Sequence, residues 1–206
     1  ITYGAVIVPI LQDFNPNDVI NIINHSESKL LFMGDNFWDD IEGDQIPAIK
    51  AVFSLTDYHT IYEKEGDKLT NYMKEMLKHY REAYPLGFSI DDIKYPEIPN
   101  DAVCLLNYTS GTTSSPKGVM LTVRNLSSNI EFGLRNIPVT NEDKIMSMLP
   151  LAHMYGMAFE FLYPLSGGAH VFFLGKTPTP TVLMQALADI KPYILITVPL
   201  VMEKIF

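Results

Sequence analysis

Tyr108-Thr-Ser-Gly-Thr-Thr-Ser-Ser-Pro-Lys-Gly-Val-Met-Leu-Thr122 is a hydroxyl-crowded loop with one lysine. It follows an apolar, strand-like run, Ala102-Val-Cys-Leu-Leu106, and precedes a stretch that reads as helix. Between Thr109 and Ser115 every residue except Gly111 is serine or threonine. Such a segment cannot bury itself, yet it is dense in small donors, which suits wrapping around phosphate oxygens. A Walker P-loop is excluded by spacing: Gly111 is followed by Thr-Thr-Ser-Ser-Pro116 and only then by Lys117-Gly118. The physical logic is related. Gly111 and Gly118 permit backbone conformations that side chains forbid, Pro116 stiffens the approach, and Lys117 supplies a compact positive charge.

Outward from the loop, short apolar runs recur at residues 5–10, 29–33, 51–55, 102–107, 144–149, 170–174 and 193–198. They are rich in Val, Ile, Phe and Leu without strict alternation, as in strands buried on both faces. Helical patterns lie between them. Asn15-Pro16 opens a helix over residues 17–25, and Thr179-Pro180 opens another that carries Val182, Leu183, Ala186, Leu187 and Ile190 on one side. Residues 68–84 place Leu69, Tyr72, Met73, Met76, Leu77 and Tyr80 on one face, which predicts a single core-packing helix. This alternation predicts an α/β fold of mainly parallel sheets flanked by helices. The proline-spaced stretch Tyr95-Pro-Glu-Ile-Pro-Asn-Asp101 predicts a boundary between subregions.

The formal net charge of −9 argues against a nucleic-acid surface but not against a small anionic ligand held by a local lysine. Cys104, the single cysteine, cannot form an intramolecular disulfide and reads as a buried small hydrophobe in a reducing compartment. No run approaches the ~18 apolar residues of a membrane span. The chain opens on Ile1 and stops at Phe206 within apolar sequence, which predicts a piece of something longer.

Residues 108–122 resemble the signature of the adenylate-forming, acyl-activating (AMP-binding) superfamily, Tyr-Thr-Ser-Gly-Thr-Thr-Gly-x-Pro-Lys-Gly-Val. Every fixed position from Tyr108 to Val119 matches except Ser114, where the pattern has glycine. Leu149-Pro-Leu-Ala-His-Met-Tyr155 is similar to a Leu-Pro-Leu-x-His segment of long-chain acyl-CoA synthetases. Thr197-Val-Pro-Leu-Val-Met-Glu-Lys-Ile-Phe206 resembles their Val-Pro-Arg-x-x-Glu-Lys-Ile-Tyr stretch, with Leu200 in place of Arg, and Tyr3-Gly-Ala-Val-Ile-Val-Pro-Ile10 looks like an early family segment. The resemblance favours the long-chain fatty-acid:CoA ligase branch. It implies that residues 1–206 are a fragment of the layered N-terminal domain, without the C-terminal small domain.

What the resemblance implies can be carried residue by residue. The ATP/AMP-binding set would be Thr109, Ser110, Gly111, Thr112, Thr113, Ser114, Ser115, Lys117, Gly118 and His153, with Lys117 and Thr112 in the catalytic role. His153, Tyr155 and Gly156 would line the acyl pocket, alongside Met154 and Met157; ordinary helix packing explains the four residues after His153 equally well. If position 114 needs a positive φ, serine costs about 1 kcal/mol relative to glycine. The implied reaction is ATP-dependent formation of an acyl-adenylate and then an acyl-CoA, with ATP, Mg²⁺, CoA and a long-chain fatty acid as cofactors and partners. The setting would be cytoplasmic, with room for peripheral membrane association. The family's Tyr-Gly-x-Thr-Glu motif, which carries the magnesium-holding glutamate, does not occur in these residues, so this chain alone is expected to be inactive. The alternatives are a non-catalytic nucleotide-binding or interaction module and an adenylate-former for amino or aryl acids.

Overall fold

The computed structural model describes residues 2–66, 68–109 and 116–205. Helix α1 (Pro16–His25) starts where the sequence provides for it. The Asn15 side chain accepts from the Asp18 N–H at 3.0 Å, and Pro16 occupies the first turn, where its missing donor costs nothing. Its inner face buries Ile22 and Ile23.

Strands β1 (Leu30–Met33), β2 (Ala51–Ser54) and β3 (Thr60–Glu63) form the first sheet, in the order β1-β2-β3. β1 and β2 are parallel, with Leu30 opposite Ala51, and β3 returns antiparallel. All four residues of β2 are buried, which is why no alternation shows in its sequence. Ile23, Met33, Ile41, Ile46, Ile49 and Val52 make the core beneath this sheet. β3 was not among the expected strands. It is a half-buried hairpin return whose four residues carry no strong pattern.

The segment predicted as one core-packing helix is two short helices, α2 (Leu69–Lys74) and α3 (Met76–Ala83), hinged at Glu75. Neither buries a residue, and Leu77 is 67% exposed. The period reported an apolar face correctly, but periodicity does not say whether another element covers that face. Tyr72 and His79 instead stack on each other at 4.5 Å.

Strands β4 (Val103–Thr109) and β5 (Lys117–Thr122) are an antiparallel hairpin, so the residues that follow the hydroxyl loop are strand before they are helix. On the other edge of β4, residues 5–10 contribute only a parallel bridge, Ile7 to Leu105, with Ile7 N–H donating to the Cys104 carbonyl at 3.0 Å. Pro9 has no N–H to continue that ladder. Helix α4 (Val123–Asn136) follows β5 directly, started by a capping box between Thr122 and Asn125.

β6 (Lys144–Ser147) and β7 (His170–Phe173) are parallel, and residues 193–198 add one bridge, Ile194 to Ile145. The crossover between β6 and β7 is a continuous helical stretch: α5 (Met154–Gly156), a wide π turn (Met157–Leu162) and α6 (Tyr163–Ser166). Pro164 accounts for the widening. It has no N–H and its ring clashes with the carbonyl four residues back, so the Tyr163 N–H reaches to Ala158, five residues back. α7 (Pro180–Ile190), capped by Thr179 as predicted, and α8 (Pro199–Ile205) bury Leu183 and Val201 against Met146 and Met148. The result is an α/β fold of helices and short sheets. Among the described residues no helix is long and apolar enough to cross a membrane.

Candidate functional site

The hairpin brings the two ends of the hydroxyl loop together. Thr109, the last residue of β4, pairs directly with Lys117, the first of β5, and Tyr108 pairs with Gly118. Both Thr109 and Lys117 are exposed. Lys117 is therefore the first strand residue after the loop, at the exposed end of the hairpin. Ser110, Gly111, Thr112, Thr113, Ser114 and Ser115 lie outside the described residues.

Below that end the hairpin is anchored. Tyr108 is only 4% exposed, and its hydroxyl lies 2.6 Å from Nδ1 of His25 at the end of α1, the two rings meeting edge-on. Burial raises the Tyr108 hydroxyl above its ordinary pKa, so it stays protonated and donates when Nδ1 is bare. Gly118 has to be small: a Cβ there would stand 3.1 Å from the tyrosine ring. Asn21, Ile22, His25, Tyr108 and Pro116 enclose a small cleft of about 210 Å³ beside this anchor.

The second candidate segment is tied to the first by one side chain. Asn107 of β4 donates from Nδ2 to the Ala152 carbonyl at 3.1 Å, so the residue before His153 is fixed to the strand that carries Thr109. His153 is exposed and caps α5, its Nδ1 accepting a long 3.4 Å contact from the Tyr155 N–H. The His153 N–H donates back to the Pro150 carbonyl at 2.9 Å, closing the turn. Tyr155 is 41% exposed and packs on Phe159. Gly156 is buried against Pro150, where a Cβ would meet the carbonyl oxygen at 2.8 Å, and Met154 and Met157 pack on Cys104, Leu105 and Leu126. Met154 and Met157 thus take part in the helix–sheet contact, and Gly156 in the contact between the helix and the turn before it. Cys104 is buried and burial raises its thiol, as befits a packing residue.

His25, Asn107 and Glu160 were not picked out from the sequence. Glu160 alone carried a signal: one acidic residue inside Met157-Ala-Phe-Glu-Phe-Leu162, an otherwise apolar run. It is fully buried in the π turn, and its Oε2 accepts from Met148 N–H, Leu149 N–H and Ser147 Oγ–H. Among the described residues no group of three or more His, Cys, Asp or Glu side chains is placed to hold a metal ion. Among the described residues this region carries Thr109 and Lys117 at the hairpin end, the His25–Tyr108 pair anchoring the strand below them, and the His153 turn tied to β4 through Asn107.

The chain has relatives in both sequence and fold. The chain is 29% identical over its whole length to long-chain-fatty-acid–CoA ligase 5 of Rattus norvegicus and 30% identical to the probable CoA ligase CCL6 of Humulus lupulus. It spans about 30% of the length of these relatives. Among solved structures, ATP-bound MatB from Rhodopseudomonas palustris superposes with a TM-score of 0.74 at 21% identity, covering 99% of this chain and 36% of that one. The anthranilate CoA ligase AuaEII in complex with anthranoyl-AMP gives 0.71 at 19% identity, covering 94% and 35%. At such identities these two structures speak for the fold alone. The family model described as AMP-binding enzyme matches residues 1–206, and the chain belongs to that family.

Proposed function

We propose that this chain supplies the phosphate-binding and acid-facing parts of an ATP-dependent, AMP-forming acyl-CoA ligase whose acid is a long-chain fatty acid. The observation that carries the reading is the pairing of Thr109 with Lys117, which puts a cation and a hydroxyl at the closed end of the family's signature hairpin. The names of the relatives favour a fatty acid. ATP and CoA enter as substrates of the whole protein. In the first step the fatty-acid carboxylate oxygen attacks the α-phosphorus of ATP. The new O–P bond forms as the bond to the pyrophosphate oxygen breaks, giving acyl-adenylate and pyrophosphate. In the second, the CoA sulfur attacks the acyl carbon and AMP leaves.

Both partners of the first step are anions, so the barrier is largely electrostatic. Lys117 would hold the β- and γ-phosphates by charge, with Thr109 and the hydroxyls of Ser110, Thr112, Thr113, Ser114 and Ser115 donating to their oxygens. Gly111 would let the backbone approach, while Gly118 makes room for the Tyr108 ring. His153, held to the same hairpin through Asn107 and Ala152, would face the acyl carboxylate, with Tyr155 beside it. A magnesium ion would neutralise phosphate charge, though among the described residues no group of three or more His, Cys, Asp or Glu side chains is placed to hold one. The extended stretch around residues 95–101 would join the β1–β3 subregion to the hairpin subregion, and the work would take place in the cytoplasm.

The test is Lys117→Ala in the full-length gene product, read by palmitate-dependent ATP–pyrophosphate exchange. A fall in kcat/KM of about 100-fold is expected, the scale seen when one preorganised electrostatic partner is removed. Unchanged turnover would reduce Lys117 to a surface residue, and exchange driven by benzoate or an amino acid, but not by palmitate, would replace the acid.

A further inference from the structure

Glu160 presents a problem that packing alone does not answer. It has no exposed surface, and no ion pair among the described residues reaches it. One oxygen, Oε2, takes three donors: Met148 N–H at 2.9 Å, Leu149 N–H at 2.8 Å and Ser147 Oγ–H at 3.2 Å. The other, Oε1, has no partner. A leucine would fill the same space at less cost, but it would leave two adjacent backbone donors buried and unpaired. These donors belong to the first two residues past β6, where the chain leaves the sheet and enters the turn that ends at His153.

That turn is held from three sides. Glu160 fixes its start, Asn107 fixes Ala152 near its end, and Gly156 lets the following helix press against Pro150. Glu160 reaches the turn from within the π turn, Met157–Leu162, of the crossover helix. We propose that Glu160 is a positioning residue: it fixes the 148–153 turn and thereby the place of His153 relative to the Thr109–Lys117 hairpin end. This rests on the functional reading above. Burial pushes the carboxyl above the usual carboxylate range. Oε2 carries all three contacts, and the amide oxygen of a glutamine supplies the same acceptor where methionine supplies none.

The experiment uses the full-length gene product with Glu160→Gln, Glu160→Met and Glu160→Asp. It reads palmitate-dependent pyrophosphate exchange, the His153 ring signal in ¹⁵N-histidine-labelled protein, and hydrogen exchange at the Met148 and Leu149 amides. Glu160→Gln is expected within about threefold of the unaltered kcat, with the ring signal unmoved. Glu160→Met should lower kcat by about 100-fold with KM for ATP little changed, shift the His153 signal and expose both amides. Should the methionine variant fail to fold, Glu160→Asp, one methylene short of the amides, should still lower kcat by about tenfold or more.

A methionine or aspartate variant that melts earlier but keeps kcat and the His153 signal overturns the proposal. So does a glutamine variant as impaired as methionine, because charge and not acceptor placement would then be at work. If the unaltered protein shows no acid-dependent exchange at all, it is the functional reading that falls; the ring signal and the two amides still decide what Glu160 holds.

Discussion

Tyr108 and Gly118 show how a signature can be read at the level of single atoms. The glycine is needed because the tyrosine ring lies across it, and the ring lies there because His25 holds its hydroxyl. Gly118→Ala is expected to push the ring off this contact and destabilise the protein by about 1–3 kcal/mol, the usual cost of overpacking. Urea denaturation measures this, and a neutral result would mean the ring yields freely. Glu160 makes a pH-dependent prediction at the same scale. Its carboxyl titrates above the usual range in the fold because burial disfavours the charge, and only Ser147, Met148 and Leu149 oppose this by hydrogen bonding. A raised folded pKa adds stability that is complete below the unfolded value and is lost as pH rises through the folded one. Relative to Glu160→Gln, the unaltered protein should therefore lose stability from about pH 4.5 upward. Parallel melting curves for the two proteins between acid and neutral pH would contradict that assignment.

At the level of elements, the termini of helices were the most legible feature because capping is local chemistry. Asn15-Pro16 and Thr179-Pro180 both start helices where the sequence says they should. Thr122 is the cap with the most at stake, since it ends β5 and starts α4 in one residue, its Oγ1 accepting from the Asn125 N–H. Thr122→Ala is expected to cost about 1 kcal/mol. It should show as faster hydrogen exchange in the first turn of α4, with the β4–β5 amides unaffected; uniform exchange across both would mean the cap supports the hairpin as well. β3, β5 and the break at Glu75 were not legible. Short strands carry little pattern, and the break in an otherwise helical stretch leaves Leu77 and Met76 facing outward with nothing described to cover them.

Across the molecule, several short sheets are joined by side chains from far apart in sequence. His25 meets Tyr108 across 83 residues, linking the first sheet's helix to the hairpin, and Asn107 meets Ala152 across 45, linking the hairpin to the β6–β7 crossover. These two contacts tie α1, the hairpin and the β6–β7 crossover to one another. Lys117→Ala removes a charge from the hairpin end, whereas the Glu160 variants act on the turn that leads to His153, so the two test the proposed site from separate segments.

The amino-acid order by itself determined the family signature, the alternation of strand and helix, and the start points of α1 and α7, because each depends on residues within a few positions of one another. Tertiary structure alone decided that Lys117 stands on a strand opposite Thr109, that His25 anchors Tyr108 and Asn107 holds Ala152, and that a buried glutamate binds the Met148 and Leu149 amides. Those outcomes depend on which groups distant in sequence the packed elements bring within bonding distance: a strand partner for Lys117, a hydroxyl for His25, a carbonyl for Asn107 and two amides for Glu160. Such pairings leave no mark in the local sequence.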